Sequence, residues 1–294
     1  MRIAPWQQSN WDVRAAANFV GGGSGCGLLV FAAFNPSPDY RWQAMTALAL
    51  IATGLVCVLS EIGRPFRALN VFLHPQTSWM TREAMVAPFL FACTAIAVWE
   101  GGGPFSVIAA LLGMLYLYCQ ARMLAAAKGI PAWREPKIVP LMIVTGLVEG
   151  AGLAALFATL QSAAAPRWLA GSLLAALILR RLSWRMYNEA LAKQGAPKKA
   201  LEVLARFGRP FASYGQSIPE MLIVAALFVG SELVWLVPLA GAAAVLSGWL
   251  LKFTIVARAA YNQGFALPVL PVRGQGQPMP GVKPGWTSAH GKIL

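Results

Sequence analysis

The sequence predicts an all-α, polytopic integral membrane protein with about eight transmembrane helices, arranged as two four-helix halves. Hydrophobic residues make up 57% of the 294 residues and charged residues only 12%, about half the charged share of a soluble domain. One core in a chain of this size cannot bury so much apolar surface. The apolar residues also form uncharged segments long enough to cross a bilayer as helices.

The apolar segments follow one another along most of the chain, each near the 20 or so residues that a crossing helix needs. The predicted spans are Ala15–Phe34, Trp42–Ser60, Ala84–Trp99, Gly101–Ala121, Ile138–Leu160, a sixth from Trp168 into Arg180 and Arg181, a seventh that begins before Glu220 and ends near Gly230, and Leu233–Leu251. The two arginines are expected to snorkel towards the membrane surface. A tight turn at Ser231–Glu232 joins the last two spans, with one long tilted helix as the alternative.

The basic residues are distributed unevenly between the two sides of the membrane. With eight spans, 22 of the 24 Lys and Arg residues lie on the side that carries both chain ends, and only Arg41 and Arg167 lie on the other. Seven spans would give a weaker asymmetry. The positive-inside rule then places both ends in the cytoplasm, with the spans in the inner membrane. The net charge of +13 therefore suggests membrane topology rather than binding to nucleic acid.

A short repeated sequence motif suggests duplication of a four-helix unit. Gly63–Phe66 has the sequence GRPF, which recurs at Gly208–Phe211, and in both places a serine and a glutamate precede the next apolar run. The predicted organisation is a first half at 1–134, a second half at 135–260 and a Pro/Gly-rich cytoplasmic tail at 261–294. A four-residue echo can also arise by chance.

Two polar segments on the basic side are predicted not to cross the membrane. Lys198–Phe207 predicts a short amphipathic helix with Leu201, Leu204 and Phe207 on one face, lying on the membrane surface or binding a partner. The tail from Tyr261 onwards is too polar and too rich in Pro and Gly for a span. It is either disordered or an extended arm on another subunit.

The loop between spans 2 and 3 places polar and aromatic residues at the membrane boundary. A quinone headgroup needs hydrogen-bond partners at its oxygens, a proton route and an apolar slot. Glu61, His74, Arg82 and Glu83 could supply the polar groups and Trp79 the wall. The alternative is an interfacial loop whose side chains anchor the helix ends.

Ser78 and Glu83 also have an explanation that involves no ligand. Ser78 is suited to the N-cap of span 3, with Glu83 in the first helical turn. Both residues would then stabilise the helix start.

Glu149 is the clearest acid within a span, flanked by Gly146, Gly150 and Gly152. Intramembrane acids are costly and commonly functional, while glycines allow helices to approach closely. Glu149 is therefore a candidate proton relay or a neutral acid bonded to a neighbouring helix.

The cysteines and histidines do not indicate a resident metal. The four cysteines fall in apolar segments without a CxxC spacing, and both histidines lie outside the spans. Small buried cysteines are the expected role, so we expect no cofactor bound by this chain. The glycine run Gly21–Gly27 predicts close helix packing rather than a phosphate loop.

The same loop carries a family resemblance. Gly-Arg-Pro-x-Arg-Ala-x-Asn at 63–70, followed by Ser-Trp-Met-Thr-Arg-Glu at 78–83, resembles the membrane anchor subunits of dimethyl sulfoxide reductase-type molybdoenzymes. The opening at 5–19, the glycine run and the segment 261–273 resemble the branch of phenylacetyl-CoA:acceptor oxidoreductase and cytoplasmic sulfite dehydrogenase anchors.

The resemblance implies an eight-helix anchor without its own redox cofactor. Its implied partners are a ferredoxin-like iron–sulfur subunit and a molybdopterin catalytic subunit, with ubiquinone or menaquinone as mobile substrate. The implied quinone-binding residues are Glu61, Gly63, Arg64, Pro65, Asn70, His74, Trp79, Arg82 and Glu83. Family members commonly carry a histidine where this chain has Glu61, so His74 or the acids alone would carry the proton.

Charge distribution and resemblance together imply a cytoplasmic catalytic module that oxidises its substrate and reduces quinone. Two other functions stay open. Glu149 and the repeat fit a proton-conducting or solute-transporting protein, and the chain could also be a purely structural anchor.

Overall fold

The computed structural model describes residues 2–34, 40–61, 65–160, 165–229, 235–266, 271–273 and 286–288. The helices are α1 (Val13–Ala33), α2 (Tyr40–Glu61), α3 (Trp79–Glu100), α4 (Pro104–Ala126), α5 (Pro131–Arg134), α6 (Ile138–Leu160), α7 (Arg167–Lys193), α8 (Lys198–Pro210), α9 (Ile218–Val229) and α10 (Leu236–Phe253). A 3₁₀ helix covers Pro65–Leu73, and π-helical segments cover Phe211–Ser217 and Thr254–Arg258. Four short strands pair in twos: β1 (Arg2–Ile3) with β2 (Phe265–Ala266), and β3 (Pro271–Arg273) with β4 (Trp286–Ser288).

The predicted fold class is confirmed, and the protein is an all-α polytopic membrane protein. Within the described ranges, seven helical stretches are long and apolar enough to cross a membrane. The prediction for α6 matches at both ends, whereas α3 begins five residues early, at Trp79. Three glycines with positive φ, Gly101 to Gly103, separate α3 from α4; the sequence alone placed them inside the fourth span.

The segment before α1 hydrogen-bonds to the segment that follows the last crossing helix. Arg2 pairs with Ala266, and Ile3 pairs with Phe265. The backbone N–H of Gln8 donates to the carbonyl oxygen at position 260 over 2.9 Å. Both segments therefore lie on one side of the membrane, which requires an even number of crossings.

Helix α7 supplies the eighth crossing, although its arginines make it less apolar than the other seven. Near its C-terminal end, Tyr187 donates from its hydroxyl to the carbonyl of Ala132 over 2.7 Å, in the segment between α4 and α6. Since α7 packs along α6, it returns the chain across the membrane. Among the described helices, eight thus cross, as predicted.

Two basic residues do not lie where the sequence placed them. Arg180 was expected to snorkel and Lys252 was counted with the tail, but both side chains are fully buried among the helices. Neutral acceptors and a carboxylate hold them inside, so neither reaches the surface. Without these two, 20 basic residues remain on the side of the chain ends, and the asymmetry persists.

The last two crossing helices are separate. Helices α9 and α10 pack against each other, so the alternative of one long tilted helix is wrong. The predicted turn at Ser231–Glu232 lies outside the described residues. Helix α9 instead continues α8 through the π-helical segment Phe211–Ser217.

The order of helix packing is the same in the first and second sets of four. Helix α1 packs on α2 and α4, and α3 packs on α2 and α4; correspondingly, α6 packs on α7 and α10, and α9 packs on the same two helices. Helices α1 and α6 cross at the centre. The division of the chain at residue 134 stays a prediction. The two copies of the GRPF sequence do not adopt the same local structure. The second copy ends helix α8, whereas in the first copy Pro65 begins the 3₁₀ helix.

The α1–α6 crossing depends on glycine, as the glycine run predicted. A Cβ atom on Gly27 would lie 2.0 Å from the carbonyl oxygen of Gly146, and one on Gly150 would lie 2.0 Å from the carbonyl carbon of Gly27. Backbone cannot move aside as a flexible side chain can. The two helices therefore touch backbone to backbone.

We expect Gly150→Val to destabilise the protein by about 1–3 kcal/mol or more, because it overpacks this crossing. Gly171→Ala is the matched control, since α7 has open space around that position and alanine favours a helix. Thermal unfolding of both variants in detergent provides the measurement. Equal unfolding temperatures would contradict the role assigned to the crossing.

The amphipathic helix predicted from Lys198 is confirmed as α8. Leu204 is buried, and Leu201 and Phe207 are partly buried in the same apolar cluster. This face packs against the π-helical segments and α7 of the same chain, so it is not free to lie on lipid or to bind a partner. In the tail, the described residues from Tyr261 to Ala266 lie against the N-terminal segment.

Candidate functional site

An apolar cavity of about 710 Å³ opens beside α1, α2, α3 and the 3₁₀ helix, towards the side of the chain ends. Apolar residues form most of its wall, among them Leu55, Val58, Leu59, Met80 and Phe91. The cavity volume lies within the range of about 300–1,000 Å³ typical of small-molecule sites. Its lining suits an apolar ligand.

Pro88 lies within α3 and lines the cavity together with Ala84. Proline has no backbone N–H, so the carbonyl of Ala84 loses its helical hydrogen bond. A free carbonyl at this wall can accept a hydrogen bond from a ligand hydroxyl.

A buried polar cluster borders the cavity where α1, α3 and α4 meet. The Nε2 atom of Gln120 donates to Glu83 Oε1 over 3.0 Å and to the backbone carbonyl of Asn18 over 3.1 Å. Glu83 and Asn18 line the cavity and are only 4% and 5% exposed. Asn18 Oδ1 and Gln120 Oε1 find no partner among the described atoms, and the buried Tyr116 hydroxyl lies beside Glu83. Unpaired buried polar atoms beside an open volume fit a bound polar group or water.

Three of the predicted quinone-site residues line this cavity. Glu61 ends α2, Asn70 lies in the 3₁₀ helix and Glu83 lies in α3. Gly63 and Arg64 lie outside the described residues, and only the backbone of Pro65, which begins the 3₁₀ helix, is described. A quinone role for these residues remains a prediction.

The other three predicted residues are not among those lining the cavity. Arg82 donates to the carbonyls of Pro75 and Gln76 over 2.9 and 2.8 Å, and its guanidinium lies 4.1 Å from the ring centre of Trp79. His74 is exposed, and its carbonyl accepts from the Ser78 N–H over 3.0 Å. These contacts shape the turn before α3.

The N-cap prediction for α3 is confirmed, because the Ser78 hydroxyl accepts from the Thr81 N–H over 3.2 Å. Glu83 is the fifth residue of α3, so its predicted place in the first turn is wrong. The helix begins earlier than the apolar run, and Glu83 points into the protein.

Sequence reasoning missed Asn18, Gln120 and Tyr116, and it also missed Trp11 in the cavity wall. Trp11 stacks on Trp133 with ring centroids 4.8 Å apart. The available signal was a polar side chain inside an apolar span, as Asn18 and Gln120 both are. That these two side chains meet in one cluster could be known only from the packing of the helices.

Glu149 belongs to a second buried cluster, formed by α1, α6 and α10. Its Oε2 atom lies 2.5 Å from Lys252 Nζ and accepts from the Ser24 hydroxyl over 2.8 Å. Trp249 Nε1 donates to the same hydroxyl over 2.8 Å. Glu149, Lys252 and Ser24 are fully buried, so the acid has a cationic partner that the sequence did not reveal.

Arg180 extends this region from α7, again without exposure. It donates to the carbonyls of Ala244 and Gly215 over 3.0 and 2.6 Å and to the Ser247 hydroxyl over 3.1 Å. Among the described residues it has no carboxylate within 4.0 Å. Its neighbour Arg181 instead pairs with Glu220, at 2.6 Å.

The chain is similar to known proteins over parts of its length. A curated protein described as a subunit of sulfite dehydrogenase, from Allochromatium vinosum, is 31% identical over 137 residues, which cover 40% of this chain and 42% of that protein. The lysophospholipid transporter LplT of Serratia proteamaculans is 31% identical over 126 residues, which cover 41% of this chain and 30% of the transporter. The matched region thus spans less than half the length of either relative.

A family match adds to these similarities. The family model described as DMSO reductase anchor subunit (DmsC) matches residues 39–183, about half of the chain. That region runs from α2 into α7, and it includes Glu61, Glu83 and Glu149. The family and the sulfite dehydrogenase relative agree with the resemblance of the loop before α3. Through residues 39–183, the chain belongs to the family of DMSO reductase anchor subunits.

Proposed function

We propose that this chain is the quinone-reactive membrane anchor of a molybdopterin iron–sulfur oxidoreductase. It passes electrons between the iron–sulfur subunit and a pool of ubiquinone or menaquinone, without a catalytic centre or a bound cofactor of its own. The observation that carries this proposal is the apolar cavity with Glu83 at its buried polar edge.

The cavity offers what a quinone requires. Its apolar walls suit the ring and the lipid tail. The Asn18 amide or a protonated Glu83 can donate to a quinone oxygen, and the Ala84 carbonyl can accept from a quinol hydroxyl. Quinone reduction takes up two electrons and two protons. Glu83 is the group placed to deliver a proton, and Glu61 supplies a second acid at the cavity wall.

The membrane face beside the cavity suits an acidic redox partner. Exposed basic side chains there include Lys128, Lys137, Arg185, Lys193, Lys198 and Arg206. Complementary charge steers and orients association. A ferredoxin-like iron–sulfur subunit would dock on this face and in turn hold the molybdopterin subunit. In this proposal the face and both chain ends are cytoplasmic and the helices lie in the inner membrane.

Purification from the native membrane in mild detergent tests the proposal. We expect an iron–sulfur protein and a molybdopterin protein to co-purify with this chain, and we expect the complex to reduce a quinone analogue. A stable chain that purifies alone, with no iron–sulfur partner, would contradict the anchor function.

Substitution within the cavity tests the assignment of its acids. Glu83→Gln should slow quinone-linked turnover by about 10²-fold, the lower end of the usual effect of losing a proton-transfer group. His74→Ala is the control, because His74 is exposed and not among the residues lining the cavity. Turnover is measured in the assembled complex with quinone and with an artificial acceptor. Unchanged quinone turnover in Glu83→Gln would reject this site.

Solute transport is a second candidate function. The similarity to a lysophospholipid transporter and the parallel repeat of helix packing favour it. Uptake of lysophospholipid into liposomes that contain only this chain would support transport. Absence of uptake together with the co-purification above would exclude it.

A further inference from the structure

The Glu149–Lys252 pair lies away from the cavity, on another face of α1. A Cβ atom on Gly22 would meet the amide of Gln120, in the cluster beside the cavity, at 2.4 Å. A Cβ atom on the next residue, Gly23, would lie 2.0 Å from Lys252 Nζ. Two buried polar clusters therefore flank one glycine-rich stretch of α1, and only one of them borders the cavity.

Because the helix packing repeats, the position of the ion pair can be compared with the corresponding position in the first four crossing helices. Lys252 packs on Gly23, and Leu117 packs on Gly146 in the corresponding way. Likewise Glu149 packs on Gly248 as Cys26 packs on Gly113. The spacings agree: Leu117 and Lys252 each follow their helix's glycine, Gly113 or Gly248, by four residues.

The counterparts of the ion pair are thus an uncharged cysteine and a leucine. The same helix crossing is built without charge in the first half, so packing does not require an acid and a base in the second. A buried ion pair gives little or no net stability compared with apolar residues of similar size. Charged groups within a membrane are commonly retained for function.

The charges of the region do not balance when every group is ionised. The pair faces Arg180 on α7 and the thiol of Cys26 on α1. Arg180 also faces a second acid, Glu220, which is itself paired with Arg181 at 2.6 Å. Full ionisation leaves one positive charge in excess inside the membrane. Glu149 Oε1 also has no hydrogen-bond partner among the described atoms.

We propose that Glu149 and Lys252 form a proton-exchange site within the membrane. The exchangeable proton is the one between Lys252 Nζ and Glu149 Oε2, which are 2.5 Å apart. Its release to water converts the ammonium to a neutral amine and leaves one carboxylate facing one cation, Arg180. Uptake of one proton restores the ion pair. This site goes beyond the proposed quinone reaction, since neither residue lines the cavity.

Nitrogen NMR of the full chain in lipid nanodiscs, with ¹⁵N-labelled lysine side chains, tests the proposal. The Lys252 resonance is assigned by its loss in the Glu149→Cys/Lys252→Leu double variant, which copies the uncharged half. We expect this resonance to move between its ammonium and amine positions as pH changes over the range in which the protein stays folded. A resonance that stays at the ammonium position throughout would overturn the proposal.

Infrared spectroscopy gives a second measurement that does not need the double variant to fold. The carboxylate band of Glu149, assigned by its loss in Glu149→Gln, should shift over the same pH range as the lysine resonance. A band that does not respond to pH would mean a static ion pair. Neither measurement uses quinone, so failure here leaves the quinone assignment to be judged by Glu83→Gln.

Discussion

Replacing Lys252 alone by methionine is expected to destabilise the protein by about 3–5 kcal/mol, the usual cost of removing one partner from a buried ion pair. Glu149 would keep its hydrogen bond to Ser24 but lose its nearest cation. Arg180 cannot easily replace it, because its donors are engaged with carbonyls and a hydroxyl. Chemical denaturation in detergent micelles measures the loss.

The control for this substitution is the double variant Glu149→Cys/Lys252→Leu. It should recover most of the lost stability, to within about 1.5 kcal/mol of the unmodified protein, because the first half packs the same residue pair at the corresponding crossing. A double variant as unstable as Lys252→Met would show that the two halves differ in packing rather than in charge.

The second large effect is expected from filling the cavity. Ala84→Trp places an indole where α3 lines the cavity, and we expect quinone-linked turnover to fall at least ten-fold, equivalent to about 1.4 kcal/mol of lost binding. Turnover with an artificial acceptor that draws electrons from the partner subunits should not change. Activity and assembly are measured on the same purified complex.

Val107→Trp is the matched control, because Val107 lies on α4 with about half of its surface exposed and does not line the cavity. Both variants add an indole to a crossing helix, so a general effect on membrane insertion would appear in both. Equal quinone turnover in the two variants would place the quinone elsewhere.

The crossing helices could be predicted because apolar length is a local property of the sequence. Helix α6 matches its prediction at both ends, and Ser78 caps α3 as expected. Helix α7 is the informative case, since Arg180 and Arg181 lower its hydropathy. The charge distribution instead predicted that the number of crossings is even. The pairing of residues 2–3 with residues 265–266 confirms this prediction.

The polar clusters could be predicted only in part, because they depend on which helices touch. Glu83 and Glu149 were visible as acids in or near spans. Their partners Gln120 and Lys252 lie 37 and 103 residues further along the chain, and nothing local marks them as partners. Arg180 was misplaced for a related reason: its acceptors include Gly215, in a π-helical segment that hydropathy does not reveal.

The pairing of the two chain ends also has a consequence for biogenesis. A ribosome makes residues 2–12 about 250 residues before it reaches 256–266, so the first segment emerges without the strand and carbonyls that later hold it. Trp11, which forms part of the cavity wall, has the same dependence, because Trp133 beneath it is held by the carbonyl of Ile255. The cavity can therefore acquire its final shape only after the last helix has been inserted, and a partly synthesised chain would present no finished site to lipid-soluble redox molecules.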